Sequence, residues 1–126
     1  MDNKTILVVD DEPFILRSLT FILKKEGYTV YSATNGKEAM SLIEKVGKPD
    51  LMFLDVMMPK MNGFEVCQLI QKDPKYKDIY IILLTARGQE SDKDKGLALG
   101  ADDYITKPFS PSKLIQKVKD VLGEKS

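Results

Sequence analysis

The stretch Leu51-Met52-Phe53-Leu54-Asp55 constrains this chain more than any other. It is a short, unbroken apolar run that ends abruptly on a carboxylate. Val56-Met57-Met58-Pro59 and then Asn62-Gly63 follow it with turn chemistry. An apolar run without alternation reads as a strand buried on both faces, and such strands belong to parallel sheets. In open parallel sheets, ligands bind beyond the carboxyl ends of the strands, which is where Asp55 falls. Taken alone, Asp55 reads better as a cap on the following turn. The remaining segments shift the balance.

Thr5-Ile6-Leu7-Val8-Val9 is a second short run, and it ends in Asp10-Asp11. Pro13 suits the first turn of a helix, Ile15, Leu19, Ile22 and Leu23 recur at helical spacing, and Gly27 closes it. Tyr28 to Ala33 reads as a strand. Asn35 with Glu38 resembles a capping box, ahead of a helix whose buried face is Ala39, Leu42, Ile43 and Val46. After the Leu51–Asp55 strand, a helix from about Gly63 to Asp73 presents Val66, Cys67 and Ile70, and Pro74 stops it. Ile79 to Leu84 is a fourth run, ending in Thr85-Ala86. Residues 89 to 99 are polar with few periodic apolar positions, which predicts a weakly anchored helix stopped by Gly100. Asp102 to Thr106 is a shorter, more polar strand, suited to a sheet edge, and Lys107-Pro108 follows it. Ser110-Pro111 starts a last helix whose apolar face is Leu114, Ile115, Val118, Val121 and Leu122. Five strands alternating with five helices require crossover connections and a parallel sheet, so an α/β fold is expected over residues 1–126 as one domain.

The 126 residues suffice for one ordinary core. Nineteen basic and nineteen acidic residues cancel, which leaves no bulk positive field for nucleic acid or an anionic membrane surface. No apolar run approaches the ~20 residues that a spanning helix needs, and Met1-Asp2-Asn3-Lys4 does not open a signal peptide. The single cysteine, Cys67, excludes an internal disulfide, reads as a buried structural thiol and fits a reducing, cytoplasmic compartment. Histidine is absent, so any metal must be held by oxygen.

If all strands run parallel, one edge of the sheet collects Asp10, Asp11, Asp55, Thr85 and Lys107. Turn or cap duty explains any one of them; four strands delivering polar residues to one edge point to a site. Carboxylates a few Å apart repel by roughly 4 kcal/mol per pair at an effective dielectric near 20, and Lys107 offsets one charge only. The cluster needs raised pKa values or a bound cation. Oxygen ligands without histidine suit Mg²⁺ or Mn²⁺. A cation, a lysine and a hydroxyl are the parts that phosphoryl transfer uses, and a central carboxylate can itself be the nucleophile.

Asp10-Asp11, then Asp55-Val56-Met57-Met58-Pro59 with Asn62-Gly63, then Thr85-Ala86, then Gly100-Ala101-Asp102-Asp103-Tyr104 with Lys107-Pro108-Phe109, resemble the receiver domain of two-component response regulators. The likeness spans essentially the whole chain, and the ordered set is what makes it specific. It implies a flavodoxin-like sheet of order 2-1-3-4-5. It implies that Asp55 accepts a phosphoryl group from a histidine kinase or histidine phosphotransfer protein. Asp10, Asp11, Asp55 and the backbone carbonyl of Met57 would bind Mg²⁺, one acid through water. Lys107, followed by a cis peptide to Pro108, would contact the phosphoryl oxygens. Thr85 would hydrogen-bond the phosphoryl group and Tyr104 would follow it inward. Met57 and Arg87 occupy positions that tune dephosphorylation in that family, and the domain would catalyse only its own phosphorylation and dephosphorylation.

The resemblance further implies a two-state shift of the face made by the fourth helix, fifth strand and fifth helix, read by an output partner or a C-terminal effector domain. Gly96 to Pro111 is similar to regulators that carry a winged-helix DNA-binding domain and dimerise through that face. Lys113 departs from their pattern, where Glu is common, and Ala98 likewise. Asp102 and Asp103 would remain to meet Lys117 and Lys119 of a second copy, giving a phosphorylation-dependent homodimer. Two other readings stand beside the switch. A phosphatase with an aspartyl-phosphate intermediate would need an acid where Met57 stands. A receiver-like interaction module that is never phosphorylated would have no need of the full acid, hydroxyl and lysine set.

Overall fold

The computed structural model describes residues 4–86 and 88–123. Its elements are β1 Thr5–Val9, α1 Pro13–Lys25, β2 Thr29–Ala33, α2 Gly36–Val46, β3 Leu51–Asp55, α3 Gly63–Lys72, β4 Tyr80–Ala86, α4 Glu90–Ala98, β5 Asp103–Lys107 and α5 Pro111–Leu122. All strand pairs are parallel, in the order β2-β1-β3-β4-β5. This is the expected flavodoxin-like arrangement.

Alternate strand residues point to opposite faces, and two apolar layers result. Leu7, Val9, Met52, Leu54, Ile81 and Leu83 pack with Ala39 and Ile43 of α2 and with Val66, Cys67 and Ile70 of α3. Ile6, Val8, Leu51, Phe53, Ile82 and Leu84 pack with Leu19 and Leu23 of α1 and with Leu114 and Val118 of α5. Every residue of β3 is buried, because it has a strand on each side and helices on both faces. β5 is an edge strand without a fully buried residue, as its polar composition predicts. It begins at Asp103 rather than Asp102, whose carboxylate instead accepts the Ile81 N–H at 2.8 Å.

Two helix starts differ from the sequence expectation. Asn35 accepts the Glu38 N–H, but the Glu38 carboxylate turns to the N–H and hydroxyl of the exposed Thr34, so only half a capping box forms. The complete box belongs to Asn62 and Glu65, which satisfy each other's backbone N–H groups at the start of α3.

α4 is as weakly anchored as its composition predicts. Gln89 provides no side-chain cap, and Leu97 is exposed. Among its described side chains and glycines the one buried position is Gly96, where a Cβ would run into Leu83 Cδ1. The missing side chain is what lets the helix backbone approach β4. Cys67 is fully buried, and burial followed by the charge of Asp102 pushes its thiol up to about 12. It is a core group. No helix among the described residues is long and apolar enough to cross a membrane.

Candidate functional site

The register of the sheet places Val9 beside Leu54 and Asp55 beside Leu84, so the ends of β1, β3 and β4 lie at one level. Asp10 leaves β1 there with a side chain entirely out of solvent. Its Oδ1 accepts the Glu12 N–H at 2.9 Å. Its Oδ2 makes no aligned hydrogen bond and faces the Lys107 ammonium at 2.8 Å as a charge contact. Asp55 ends β3 and is nearly buried. Its Oδ1 lies 3.5 Å from Lys107 Nζ and 3.4 Å from the Met57 backbone nitrogen, which donates to it.

The loop behind Asp55 is held by its own backbone. Val56 donates to Leu84 and Gly63 donates to Val56. Gly63 is required there, because a Cβ would meet the Asp55 carbonyl oxygen at 2.6 Å. Lys107 closes the site from the end of β5, and its peptide bond to Pro108 is cis.

Asp10, Asp11 and Asp55 each offer an oxygen within 4.8 Å of the others. Glu12 adds a fourth acid, 3.9 Å from Lys107 Nζ. Sequence reasoning passed over Glu12, although it directly follows the two acids already singled out. One lysine thus faces three of the four acids. Burial, then the charge of Asp10, raises the Asp55 pKa to about 7, with Asp11 adding to the rise; Lys107 and the Met57 N–H pull it down without prevailing. Burial lowers the Lys107 pKa, and pairing with Asp10, Asp55 and Glu12 outweighs it, so that ammonium is held more firmly than an ordinary lysine.

The donor set fits a hard divalent cation. The nearby donors are carboxylate oxygens, and they are close enough to share one ion. The buried Asp10 Oδ2 also lacks a hydrogen bond that an ion would replace. The Met57 side chain is exposed and turned away from any such role.

Thr85 and Tyr104 stand to one side of this cluster. Thr85 is buried one residue beyond the level of Asp55 on the neighbouring strand. Thr85 and Tyr104 line a small cavity of about 70 Å³ together with Gly88, Gln89, Lys93 and Thr106. That is several times the roughly 10–15 Å³ one water needs, so a side chain has room to shift. Arg87, expected to tune dephosphorylation, lies outside the described residues.

The charges expected to meet a second copy are engaged within the chain. Lys117 pairs with Asp103 at 2.6 Å, and Lys119 pairs with Glu26 at 3.3 Å. The reason is adjacency: α5 packs beside β5 and α1, so its lysines reach acids of their own chain first.

Residues 6–119 match the family described as response regulator receiver domain. The chain is 50% identical over 121 residues to the alkaline phosphatase synthesis transcriptional regulatory protein PhoP of Bacillus subtilis, covering 95% of this chain and 49% of that protein. It therefore spans about half the length of that relative. A response regulator structure from Chloroflexus aurantiacus superposes with a TM-score of 0.91 at 36% identity, covering 98% of this chain and 100% of the other. The chemotaxis response regulator CheY4 of Vibrio cholerae superposes with a TM-score of 0.87 at 32% identity, covering 95% and 99%.

Proposed function

This chain belongs to the response regulator receiver family, whose members are phosphorylation-activated switches, and on that footing we propose that Asp55 is its phosphoacceptor. One observation carries the assignment: a nearly buried carboxylate sits 3.5 Å from a lysine and within 4.8 Å of two further acids. An Asp55 oxygen attacks the phosphorus of a phosphohistidine on a kinase or phosphotransfer protein. The new O–P bond forms as the P–N bond breaks, and the histidine leaves with the bonding pair and takes up a proton. Lys107 binds the transferred oxygens and holds the acceptor in place. Asp10, Asp11, Asp55 and the backbone carbonyl of Met57 would hold Mg²⁺ or Mn²⁺. When bound, that ion supplies charge neutralisation and orientation of the phosphoryl oxygens.

Thr85 then donates its hydroxyl to the phosphoryl group, Tyr104 moves with it, and the face formed by α4, β5 and α5 changes. The likeness to a transcriptional regulatory protein supports a DNA-binding output domain outside this chain, and the lone buried cysteine fits a cytoplasmic location. The receiver itself, spanning 1–126, makes no direct nucleic-acid contact in this reading. Incubation with acetyl phosphate and Mg²⁺, read by intact mass, tests it. The expected result is a gain of one phosphoryl group that Asp55→Ala abolishes and that does not form without a divalent cation. Multiple turnover of an external phosphoester by Asp55 would instead mark a phosphatase.

The exposed surface of α1 supports a helical donor. Phe14 and Phe21 are 70% and 68% exposed, and they lie two turns apart on one stripe that starts beside the acid cluster. Exposed aromatics of this kind are typical interface anchors. The double substitution Phe14→Ala/Phe21→Ala is expected to slow transfer from a histidine kinase that phosphorylates the wild-type chain by about tenfold or more. The rate with acetyl phosphate should be unchanged. An equal loss with both donors would place the defect in the fold rather than in docking.

A further inference from the structure

α4 has no fully buried apolar side chain to hold it, so the contacts it does make carry unusual weight. One of them reaches the switch aromatic directly. Lys93, in the first turns of α4, places its ammonium 4.5 Å from the centre of the Tyr104 ring. The same ammonium lies 3.2 Å from the Tyr104 hydroxyl and donates to it. The cation therefore sits over the hydroxyl end of the ring, and a cation–π contact and a hydrogen bond act at once. Both residues line the cavity that Thr85 also lines. Tyr104 itself packs partly against the apolar layer below. Its ring is held from beneath by the core and from above by α4.

We propose that Lys93 is a positioning residue that couples α4 to Tyr104, so that displacement of the ring is transmitted to the helix through this side chain. The inference rests on the phosphorylation switch assigned above, and it deepens it by naming the link between ring and helix. The link is mechanical as well as electrostatic. α4 follows Gly88, which adopts φ +85°, and begins at Gln89 without a side-chain cap. Further along, Gly96 lies against Leu83 and Lys95 over the Phe64 ring. These hold the far end while the near end follows Tyr104. A segment with so little apolar burial opens at low free energy, which makes it the part of the fold most responsive to one contact.

Amide hydrogen exchange across α4 tests the coupling, first without phosphorylation. Lys93→Met keeps the stem and a similar helix propensity but removes the charge. It is expected to speed exchange in α4 by about fivefold, with no change in β3. In a Tyr104→Leu background, the same substitution is expected to add nothing. An undiminished effect of Lys93→Met in that background overturns the proposal, and so does unchanged α4 exchange in the single variant. The second measurement follows exchange after acetyl phosphate and Mg²⁺, with uptake checked by intact mass. The wild-type chain is expected to change its α4 protection on phosphorylation, and Lys93→Met is expected to take up the phosphoryl group while losing most of that change. An equal α4 response in both proteins overturns the coupling. Failure of the wild-type chain to take up phosphate strikes at Asp55 as acceptor, and the unphosphorylated comparison then still decides whether Lys93 holds Tyr104.

Discussion

Asp55→Asn is expected to raise the melting temperature of the metal-free protein at pH 8 by about 5–10 °C while removing its ability to take up phosphate. The amide keeps the shape of the side chain and can still accept the Met57 N–H, but it removes one of the acids crowded around a single lysine. The effect has a defined pH window. Asp55 has an ordinary value of 3.8 and is raised to about 7 in the fold, by burial first and by Asp10 second. A carboxyl raised in the folded state stabilises the fold while it is protonated. That contribution is complete below about pH 4 and is lost as pH rises toward 7. A displacement of about three pH units corresponds to a few kcal/mol at roughly 1.4 kcal/mol each. The advantage of Asp55→Asn should grow from pH 4 to pH 7 and then level off. Thermal unfolding at pH 4.5 and pH 8 in a chelator checks this, and a pH-independent difference would refute the repulsion account. Mg²⁺ at pH 8 should stabilise the wild-type chain and do less for the variant.

Lys107→Met should act in the opposite direction and nearly as strongly. Lys107 is the one cation within contact of Asp10 and Asp55 among the described residues, and Asp10 Oδ2 has no aligned hydrogen bond to fall back on. Removing one partner from a buried ion pair typically costs about 3–5 kcal/mol, because the remaining charge stays out of water. The metal-free variant is therefore expected to unfold at markedly lower urea concentration at pH 8. Lowering the pH toward 5 should recover part of the loss, since protonation of Asp55 removes one of the charges Lys107 was opposing. Added Mg²⁺ should also recover part. A variant as stable as the wild type would show that the lysine does not balance these acids.

The acids and the lysine were legible because each ends a run whose pattern fixes its place. An apolar strand that runs into Asp10 or Asp55 puts that residue at the sheet edge whatever the loops do, and the shorter, more polar β5 does the same for Lys107. Thr85 was legible in position for the same reason, and Tyr104 only through the resemblance carried by Gly100-Ala101-Asp102-Asp103-Tyr104. Glu12 was not, since a charged loop residue carries no periodicity and its approach to Lys107 depends on the turn that Asp10 Oδ1 fixes. The grip of Lys93 on Tyr104 was equally hidden, because it joins a helix with almost no apolar pattern to an edge strand. Phe14 and Phe21 could have been found. Leu19 and Leu23, with Ile15 and Leu16 beside them, already fill the inward stripe of α1, which leaves those two rings outside. The pairings of Lys117 and Lys119 are choices between nearby partners, and only the packing of α5 beside β5 and α1 settles them.

Asp55 stands on the middle strand of the sheet, while Tyr104 stands on an outer one, beside the thinly anchored α4. Writing the signal and reading it are thereby assigned to parts of unequal stiffness. The centre cannot yield without unmaking both apolar layers, whereas the margin can rearrange at small cost. Lesions should sort accordingly: those at Tyr104 or Lys93 leave a chain that still records a signal yet no longer reports it, and those around Asp55 leave nothing to record on.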